Sequence, residues 1–239
     1  MKGVNNMIHA MLTVRNESGR WLEQLLFQLK QITNRIVVVD DASTDDTVKI
    51  CKDNGCEVHT RKYSIWGTDE QYLRSQLFHL TTEKCKKDDW IICLDADELL
   101  VNEHIPFLKY MLNTLPIDID SIGFRLHDMW SDTHFRDDEL WQAHFHVWPM
   151  IIRYKENYNY EWQNKKLHCG RFPANSSKRC IPTMIPIKHM GWSKALDRQK
   201  KYDRYMEIDP LGVNGILSQY RSIMDETPIL KLFGSVYHE

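Results

Sequence analysis

Two short acidic segments carry side chains that could hold a metal ion and a diphosphate. One is the Asp-Ala-Asp segment 95–97, which follows the apolar residues 90–94, and the other is the aspartate pair 40–41, which follows the β-branched residues 36–39. In an extended Asp-x-Asp segment the first and third side chains point the same way, so the two aspartates can share one ligand. A carboxylate at Asp97 suits a hard divalent cation such as Mg²⁺ or Mn²⁺, which fills its remaining positions with water and phosphate oxygens. The segments therefore predict a site for a nucleoside diphosphate and its metal ion.

Alternating strands and helices are expected to position these acids. Apolar and β-branched runs predict strands at residues 8–14, 36–39, 57–60 and 90–94, and helical spacing predicts helices after residues 16–18, from 43–46 to 54, and over 70–84. Such alternation indicates an α/β protein with a mostly parallel sheet covered by helices on both faces. Ligands of open sheets of this kind bind beyond the carboxyl ends of the strands, so residues 13–17, 40–41 and 95–97 should border one cleft. For residues 40–46 the alternative is a helix cap, because Asp, Ser and Thr are favoured there without any ligand.

The second half of the chain has a less regular pattern. Helices are predicted near residues 106–115 and over 195–208, strands near 121–129 and 149–153, and only weak patterning after Pro210. No internal repeat and no Gly/Ser-rich linker divides the 239 residues. We therefore expect a single domain over residues 1–239 with an irregular second half.

Composition excludes several classes of partner. The net charge of -2 creates no field that would attract nucleic acid. No run of 18 apolar residues predicts a transmembrane helix, and the N-terminus lacks the layout of a secretory signal, so a cytoplasmic protein is expected. The six cysteines form no CxxC pair and are expected to be reduced, mostly structural thiols.

The order and spacing of three segments resemble the family 2 glycosyltransferases of the GT-A fold. The segments are residues 14–17, 36–47 and 90–98, all within the first hundred residues. The resemblance implies a GT-A (Rossmann-like) three-layer α/β/α sandwich with a mostly parallel central sheet and an irregular acceptor-side second half. It divides the single domain into a nucleotide-sugar-binding half at 1–100 and an acceptor-binding half at 101–239. It also implies a nucleotide-diphosphate sugar as donor, with a UDP-sugar favoured, and a single in-line displacement that inverts the anomeric carbon. The acceptor could be a carbohydrate, a lipid-linked glycan, a protein side chain or a small molecule, and a lipid-linked one could bring the protein to the inner membrane face.

The resemblance also assigns roles to individual residues. The implied donor-binding residues are Thr13, Arg15, Glu17, Asp40, Asp41, Asp95 and Ala96. The metal ion, Mn²⁺ or Mg²⁺, is assigned to Asp97, and His189 is the residue of the second half that could complete its shell or meet the diphosphate. The basic residues Arg198, Lys200, Lys201 and Arg204 on the last predicted helix form either a solvated face or a phosphate contact.

The base that takes the acceptor's proton has no clear motif in this chain. Asp132 and Glu161 are the candidates, because each lies among aromatic residues that could raise the pKa of the carboxyl group, and Asp128 is a third. The histidines at 144, 146 and 168 have a spacing that imitates a metal site but lack an obvious third ligand, so they are interpreted as structural.

Two alternative functions remain open. A sugar nucleotidyltransferase would share the sheet and the acidic residues, but it should carry a Gly-rich basic loop after the first strand, where this chain has only Gly19. A catalytically silent nucleotide- or carbohydrate-binding module is the alternative outside the enzymes, since the base is unassigned. An aspartyl phosphatase is disfavoured because its Asp-x-Asp should follow the first strand and not the fourth.

Overall fold

The computed structural model describes residues 6–165 and 169–234, and the predicted structural histidine at 168 lies outside this part of the chain. Its centre is an eight-stranded sheet with strand order β3-β2-β1-β4-β8-β6-β9-β5. The strands of this sheet are β1 (Ile8–Val14), β2 (Arg35–Asp40), β3 (Glu57–Thr60), β4 (Trp90–Cys93), β5 (Glu98–Leu100), β6 (Ser121–Asp128), β8 (Trp148–Arg153) and β9 (Cys180–His189). A separate pair of short strands consists of β7 (His134–Arg136) and β10 (Leu230–Leu232).

The first four strands of the sheet are parallel, as the sequence predicts. Strand β1 pairs with both β2 and β4, with Val14 opposite Asp40 and Met11 opposite Cys93. Parallel neighbours end at the same edge of a sheet, so the residues after β1, β2 and β4 meet at one edge. Beyond β4 the pairings are mixed: β8 is antiparallel to β4 and β6, whereas β6 and β9 are parallel.

Helices cover both faces of the sheet. They are α1 (Leu22–Ile32), α2 (Thr47–Asp53), α3 (Glu70–Thr82), α4 (Ile105–Thr114), α5 (Ala195–Ile208) and α6 (Leu217–Ser222). Successive strand residues point to opposite faces, so Leu12 packs in the cluster that contains α1 and α4, while Met11 packs with Leu73 and Leu77 of α3. Two apolar layers on a central sheet confirm the predicted α/β/α sandwich.

The predicted elements of the first half match the observed ones within a few residues at each end, which is the usual uncertainty of helix termini. The structure also contains elements that the sequence did not predict: strand β5 at the end of the first half, and strands β7, β9 and β10 and helix α6 in the second half. Strand β9 carries Pro182 and Pro186, which lack the N–H that a ladder needs and therefore disguise a ten-residue strand. Pro182 lies opposite Gly123 and Pro186 opposite Arg125, on either side of a register shift.

A third apolar cluster lies in the second half and is built from tryptophans. It contains Trp130, Trp141, Trp192 and Ile223, all nearly inaccessible to solvent. No helix among the described residues is both long and apolar enough to cross a membrane.

Candidate active site

A cavity of about 580 Å³ opens at the edge where β1 and β4 end. Its walls come from residues 13–17 after β1, from Trp66 and Gly67 in the loop after β3, from residues 95–97 after β4, and from helix α5. The volume lies within the range of small-ligand sites. The cleft predicted from the strand order is therefore present, and α5 closes it from the second half of the chain.

The acidic segment after β4 is held as a tight turn by Glu98. The backbone N–H of Asp95 donates to Glu98 Oε2 at 2.9 Å, and the N–H of Glu98 donates to the Asp95 carbonyl at 2.9 Å. Glu98 is only 1% exposed and its other oxygen forms an ion pair with Arg171. This turn directs the carboxylates of Asp95 and Asp97 toward the cavity, which both residues line.

Two arginines hold the Asp95 carboxylate. Arg74 of α3 donates to Oδ1 at 2.8 Å, and Arg171 Nη1 lies 3.4 Å from Oδ2. Burial opposes ionisation of Asp95, but the two guanidinium groups outweigh it and lower its pKa. Asp95 is therefore a fixed anion at the base of the cavity.

Asp97 meets two cationic groups from the second half. Lys201 Nζ of α5 lies 3.2 Å from Asp97 Oδ2, and His189 Nε2 lies 3.7 Å from the same oxygen. Burial again opposes ionisation, yet Lys201 and His189 bring the pKa of Asp97 well below its usual range. Gly191 makes the approach possible, because a Cβ atom at that position would overlap both the Asp97 carboxylate and the Lys201 ammonium.

His189 is oriented by a second carboxylate. Its Nδ1 lies 2.7 Å from Asp128 Oδ1, which also accepts from Trp192 Nε1 at 3.1 Å. Burial lowers the pKa of His189, but the facing Asp97 outweighs it and the net pKa rises to about 10.

The side chains of Asp97 and His189 fit a divalent cation. Nδ1 is occupied by Asp128, so Nε2 is the histidine nitrogen that faces Asp97, and a carboxylate behind a metal-binding histidine is the usual supporting arrangement. One carboxylate oxygen and one imidazole nitrogen form a donor set that Mn²⁺ accepts, with water and phosphate oxygens completing the shell. Lys201 contacts the same Asp97 oxygen, so its ammonium group lies beside the position expected for the negatively charged phosphate oxygens.

Helix α5 brings positive charge to the cavity. Lys200, Lys201 and Arg204 line it, whereas Arg198 points elsewhere and donates to the carbonyl groups of Trp130 and Trp192. Of the two interpretations of this helix, the geometry favours a phosphate contact over a solvated face.

Several buried polar atoms of the cavity lining have no hydrogen-bond partner. These atoms are Thr13 Oγ1, Glu17 Oε2, Arg20 Nε, Arg74 Nε, Asp197 Oδ2 and Arg204 Nε. Buried polar groups in native proteins are nearly always satisfied, so such a concentration at one cavity indicates a place for a polar ligand.

Among the acids that line the cavity, Glu17 has the most strongly raised pKa. Burial raises its pKa to about 7, Arg20 lowers it and nearby Asp97 raises it further. Arg20 Nη1 lies 3.3 Å from Glu17 Oε2, but the contact does not offset burial. Ionisation of Glu17 is thus sensitive to what occupies the cavity.

The aspartates after β2 have a different environment. Asp41 is 1% exposed and accepts from Ser64 Oγ at 2.6 Å and from the N–H groups of Ile65 and Trp66 at 3.0 Å. Asp40 is fully buried and receives the N–H of Ser43 at 3.3 Å. Neither lines the cavity, so their direct contact with a nucleobase stays a prediction. The bonds of Asp41 fix the loop that carries Trp66 to the cavity wall, whereas the Asp40 carboxylate holds the turn that follows β2.

Three further predicted donor-binding residues do line the cavity: Thr13, Arg15 and Ala96. Thr13 and Ala96 are buried, whereas Arg15 is exposed and donates to Ser64 Oγ at 2.6 Å. The structure therefore brings together Thr13, Arg15, Glu17, Asp95, Ala96, Asp97 and His189.

The two predicted base candidates lie apart from this group. Asp132 is exposed in the turn between β6 and β7, and Glu161 is exposed in the segment after β8, with Oε1 accepting from Asn159 at 3.3 Å. Neither lines the large cavity or the smaller second cavity of about 310 Å³ that adjoins it. Asp128 does line the second cavity.

Four functional neighbours were missed by sequence reasoning: Arg74, Glu98, Arg171 and Gly191. Arg74 and Arg171 are distant from the motif in sequence, and their pairing with Asp95 depends on how α3 and the segment after β8 pack. Glu98 is only the last residue of the segment 90–98 in the sequence argument, although a third acid within four residues could have suggested a role in the turn. Gly191 gave a usable signal, because a glycine directly after a candidate ligand segment often marks a close approach.

The fold and the cavity define a GT-A-type protein. Among solved structures, TarS from S. aureus superposes with a TM-score of 0.51 over 91% of this chain and 42% of that chain, at 15% sequence identity. At that identity the likeness concerns the fold alone, and it confirms the fold class expected from the sequence.

The chain belongs to glycosyl transferase family 2, whose family model matches residues 10–176. Glycosyltransferase SunS of Bacillus subtilis (strain 168) is 37% identical over 176 residues, which are 70% of this chain and 40% of SunS. An uncharacterized protein of Mycobacterium tuberculosis is 25% identical over 215 residues, covering 83% of this chain and 50% of that protein. The chain thus spans half or less of the length of these two relatives.

Proposed function

We propose that the protein is a metal-dependent, inverting glycosyltransferase that moves a sugar from a nucleotide-diphosphate donor to a glycan, lipid-linked or protein acceptor. The observation that carries the proposal is the convergence of Asp95 and Asp97 with His189 and Lys201 in one cavity at the carboxyl ends of β1 and β4. Family membership supports the reaction class. A uridine nucleotide is the favoured donor, and a cytoplasmic location, with a lipid-linked acceptor at the inner membrane face, accompanies the proposal.

The residues of the cavity suit the charge that develops in the reaction. As the bond from the anomeric carbon to the diphosphate oxygen breaks, the electron pair leaves with the diphosphate, and the acceptor oxygen forms the new bond. Lys200, Lys201 and Arg204 are placed to attract this diphosphate. A divalent cation held by Asp97 and His189 would supply further stabilisation of the leaving group.

The proton of the acceptor hydroxyl must pass to a base. Asp132 and Glu161 remain the candidates taken from sequence. Asp128 is also a candidate, and its position in the wall of the second cavity supports it. For the nucleotide base, we propose that Asp40 and Asp41 contact it as the resemblance implies, and that Asp41 acts at least through the loop it fixes, whose Trp66 and Gly67 form the cavity wall beside Thr13.

Nucleotide release measured across a panel of donors tests the proposal. The full chain is incubated with UDP-, GDP- and TDP-sugars in Mn²⁺ or Mg²⁺, with and without simple acceptors, and the released nucleoside diphosphate is quantified. We expect release from one donor class, and its loss when the cation is chelated with EDTA. Readdition of Mn²⁺ after chelation is the control and should restore the release.

Two other outcomes would identify the alternatives. Thermal stabilisation by nucleotide and Mn²⁺ without release under any acceptor would favour a silent binding module. Pyrophosphate release from a nucleoside triphosphate and a sugar phosphate would favour a nucleotidyltransferase.

A further inference from the structure

The second cavity adjoins the large one through a shared wall. His189, Trp192, Tyr205 and Tyr220 line both cavities. The remaining wall of the second cavity comes from the end of β6, from Trp141, from residues 214–216 and from α6. A ligand in the second cavity therefore lies next to whatever fills the first.

Four rigid aromatic side chains belong to this wall. Trp141 and Trp192 pack edge to face with ring centroids 5.0 Å apart, and Trp141 Nε1 donates to Ser222 Oγ at 2.9 Å. Tyr205 and Tyr220 stack with centroids 4.6 Å apart and planes 6° from parallel. Because these rings are already fixed by packing, little conformational entropy is lost when a ligand binds against them.

The loop on the open side is also fixed in place. Asp209, which is 3% exposed, accepts the backbone N–H groups of residues 213–215 at 2.7 to 3.1 Å and the Tyr220 hydroxyl at 3.0 Å. A Cβ atom on Gly215 would overlap the Tyr220 hydroxyl, so the loop can approach this closely only with glycine. The loop thereby presents Asn214 and Ile216 to the cavity.

A few polar groups stand among these aromatic rings. Asp128 receives both of its hydrogen bonds, from His189 and Trp192, at Oδ1. Gln219 donates from Nε2 to the Leu140 carbonyl at 2.8 Å, which orients its amide group. Asn214 adds a second amide. Apolar and aromatic side chains with a small number of oriented polar groups are typical of a site that recognises a compact polar molecule.

We propose that the second cavity is the acceptor subsite and that it takes a single sugar ring. A pyranose presents an apolar C–H face, which suits the accessible lining side chains of Leu126, Tyr205 and Ile216, and hydroxyl groups at its edge, which suit Asp128 and the two amides. This inference rests on the proposed glycosyltransferase function and deepens it by naming the acceptor class. The shared wall brings an acceptor hydroxyl next to the donor sugar, as a direct displacement requires.

The chemistry of the wall disfavours two other occupants. An alkyl chain would cover the Asp128 carboxylate and the amides without offering them a partner, which is costly. An extended peptide needs a groove or a sheet edge that continues over several residues, whereas this cavity of about 310 Å³ is compact.

Ligand-observed NMR on the full chain tests the acceptor subsite separately from the donor site. Saturation transfer is measured to methyl glucoside, methyl galactoside and methyl N-acetylglucosaminide, and for comparison to an N-acetylated serine amide and to octanol. The variant is Ile216→Trp, which fills the second cavity, and the matched control is Ile229→Trp. The two isoleucines are 60% and 62% exposed, and Ile229 lines neither cavity.

We expect transfer to at least one methyl glycoside, its loss by about 10-fold or more in Ile216→Trp, and no change in Ile229→Trp. Uridine diphosphate binding in Mn²⁺ should remain within about twofold in both variants, since Ile216 does not line the donor cavity. The inference is overturned if no glycoside binds, if glycoside binding survives in Ile216→Trp, or if only the serine amide or octanol binds. Failure of uridine diphosphate to bind the wild-type chain would instead contradict the proposed function, and the glycoside result would still be readable.

Discussion

The two acidic strand ends of this sheet look alike in sequence and differ in structure. After β2, the Asp41 carboxylate is buried and accepts hydrogen bonds from Ser64, Ile65 and Trp66. After β4, the Asp97 carboxylate lines the cavity and faces Lys201 and His189, which line the same cavity.

The difference shows what separates a structural carboxylate from one that is available to a ligand. At the β2 end the loop after β3 supplies N–H and O–H donors, Arg61 Nε lies 3.4 Å from Asp41 Oδ1, and the buried acid organises that loop. At the β4 end a distant helix and strand supply Lys201 and His189, and Asp97 keeps access to the cavity. Substitutions at the two ends should therefore affect different quantities.

The largest effect is expected for Asp41→Ala. The substitution leaves the N–H groups of Ile65 and Trp66 without their buried acceptor, which should lower the free energy of unfolding by about 3 kcal/mol. Urea denaturation measures this, with Asp46→Ala as a control in the same motif, because the Asp46 side chain makes no capping bond. A decrease in the free energy of unfolding below about 0.5 kcal/mol for Asp41→Ala would contradict the structural role of Asp41.

Glu17→Gln should raise the free energy of unfolding, because Glu17 Oε2 is buried without a hydrogen bond. The pKa of Glu17 rises from 4.5 to about 7 on folding, so the unfolded chain releases this proton first. Ionisation of Glu17 therefore costs stability progressively from about pH 4.5 to about pH 7, and the cost is constant above that range.

In the metal-free chain, Glu17→Gln is thus expected to be neutral near pH 4 and more stable than wild type by about 2 kcal/mol at pH 8. Thermal denaturation at the two pH values measures the difference. Equal effects at both pH values would show that the raised pKa of Glu17 is not the cause.

Gly191→Ala should weaken ligand binding at the β4 end and leave the structure of the β2 end unchanged. The added Cβ atom overlaps the Asp97 carboxylate and the Lys201 ammonium, so one of the two must move. We expect about 10-fold weaker binding of uridine diphosphate in Mn²⁺, which corresponds to about 1.4 kcal/mol, by calorimetric titration. Gly55→Ala is the control: Gly55 has a positive φ, unlike Gly191, and open space around its Cβ position, so alanine there should cost stability and leave binding unchanged.

Lys201→Met should give the smallest effect. Removal of one cation near the diphosphate is expected to weaken uridine diphosphate binding by about fivefold, or about 1 kcal/mol, and to reduce its dependence on salt. Lys194→Met serves as the control, because Lys194 lies over the Trp21 ring and does not line the cavity. Stronger binding in Lys201→Met would mean that Lys201 competes with the ligand for Asp97.

The first half of the fold was predictable because its signals are local. Residues 8–14 and 57–60 were predicted as strands with the observed ends, and the convergence of residues 13–17 with 95–97 follows from parallel strand order alone. The sequence did not predict which of the two acidic strand ends would face the cavity and which would be buried against a loop. It depends on the loop after β3 folding back onto Asp41, and loop conformation has no periodic signal.

The second half was harder because its signals conflict or act over long distances. Prolines conceal β9, and the ion pairs of Asp95 join residues 21 and 76 positions apart in sequence. The predicted helix over residues 195–208 is present, yet only packing shows that Lys201 enters the cavity while Arg198 does not. Asp132 and Glu161 had the right chemistry and aromatic neighbours, but the structure leaves both exposed and outside the cavity walls.

Calorimetric titration of uridine diphosphate into Asp97→Asn tests the central claim most directly. The substitution keeps the size of the side chain, and Asp132→Asn is the matched control because Asp132 lines neither cavity. We expect wild type and Asp132→Asn to bind in the presence of Mn²⁺ and to lose affinity when the cation is chelated, whereas Asp97→Asn should lose about 100-fold in Mn²⁺ and keep its thermal unfolding transition. Unchanged Mn²⁺-dependent affinity in a folded Asp97→Asn variant would contradict the assignment of the donor and metal site to the β4 end.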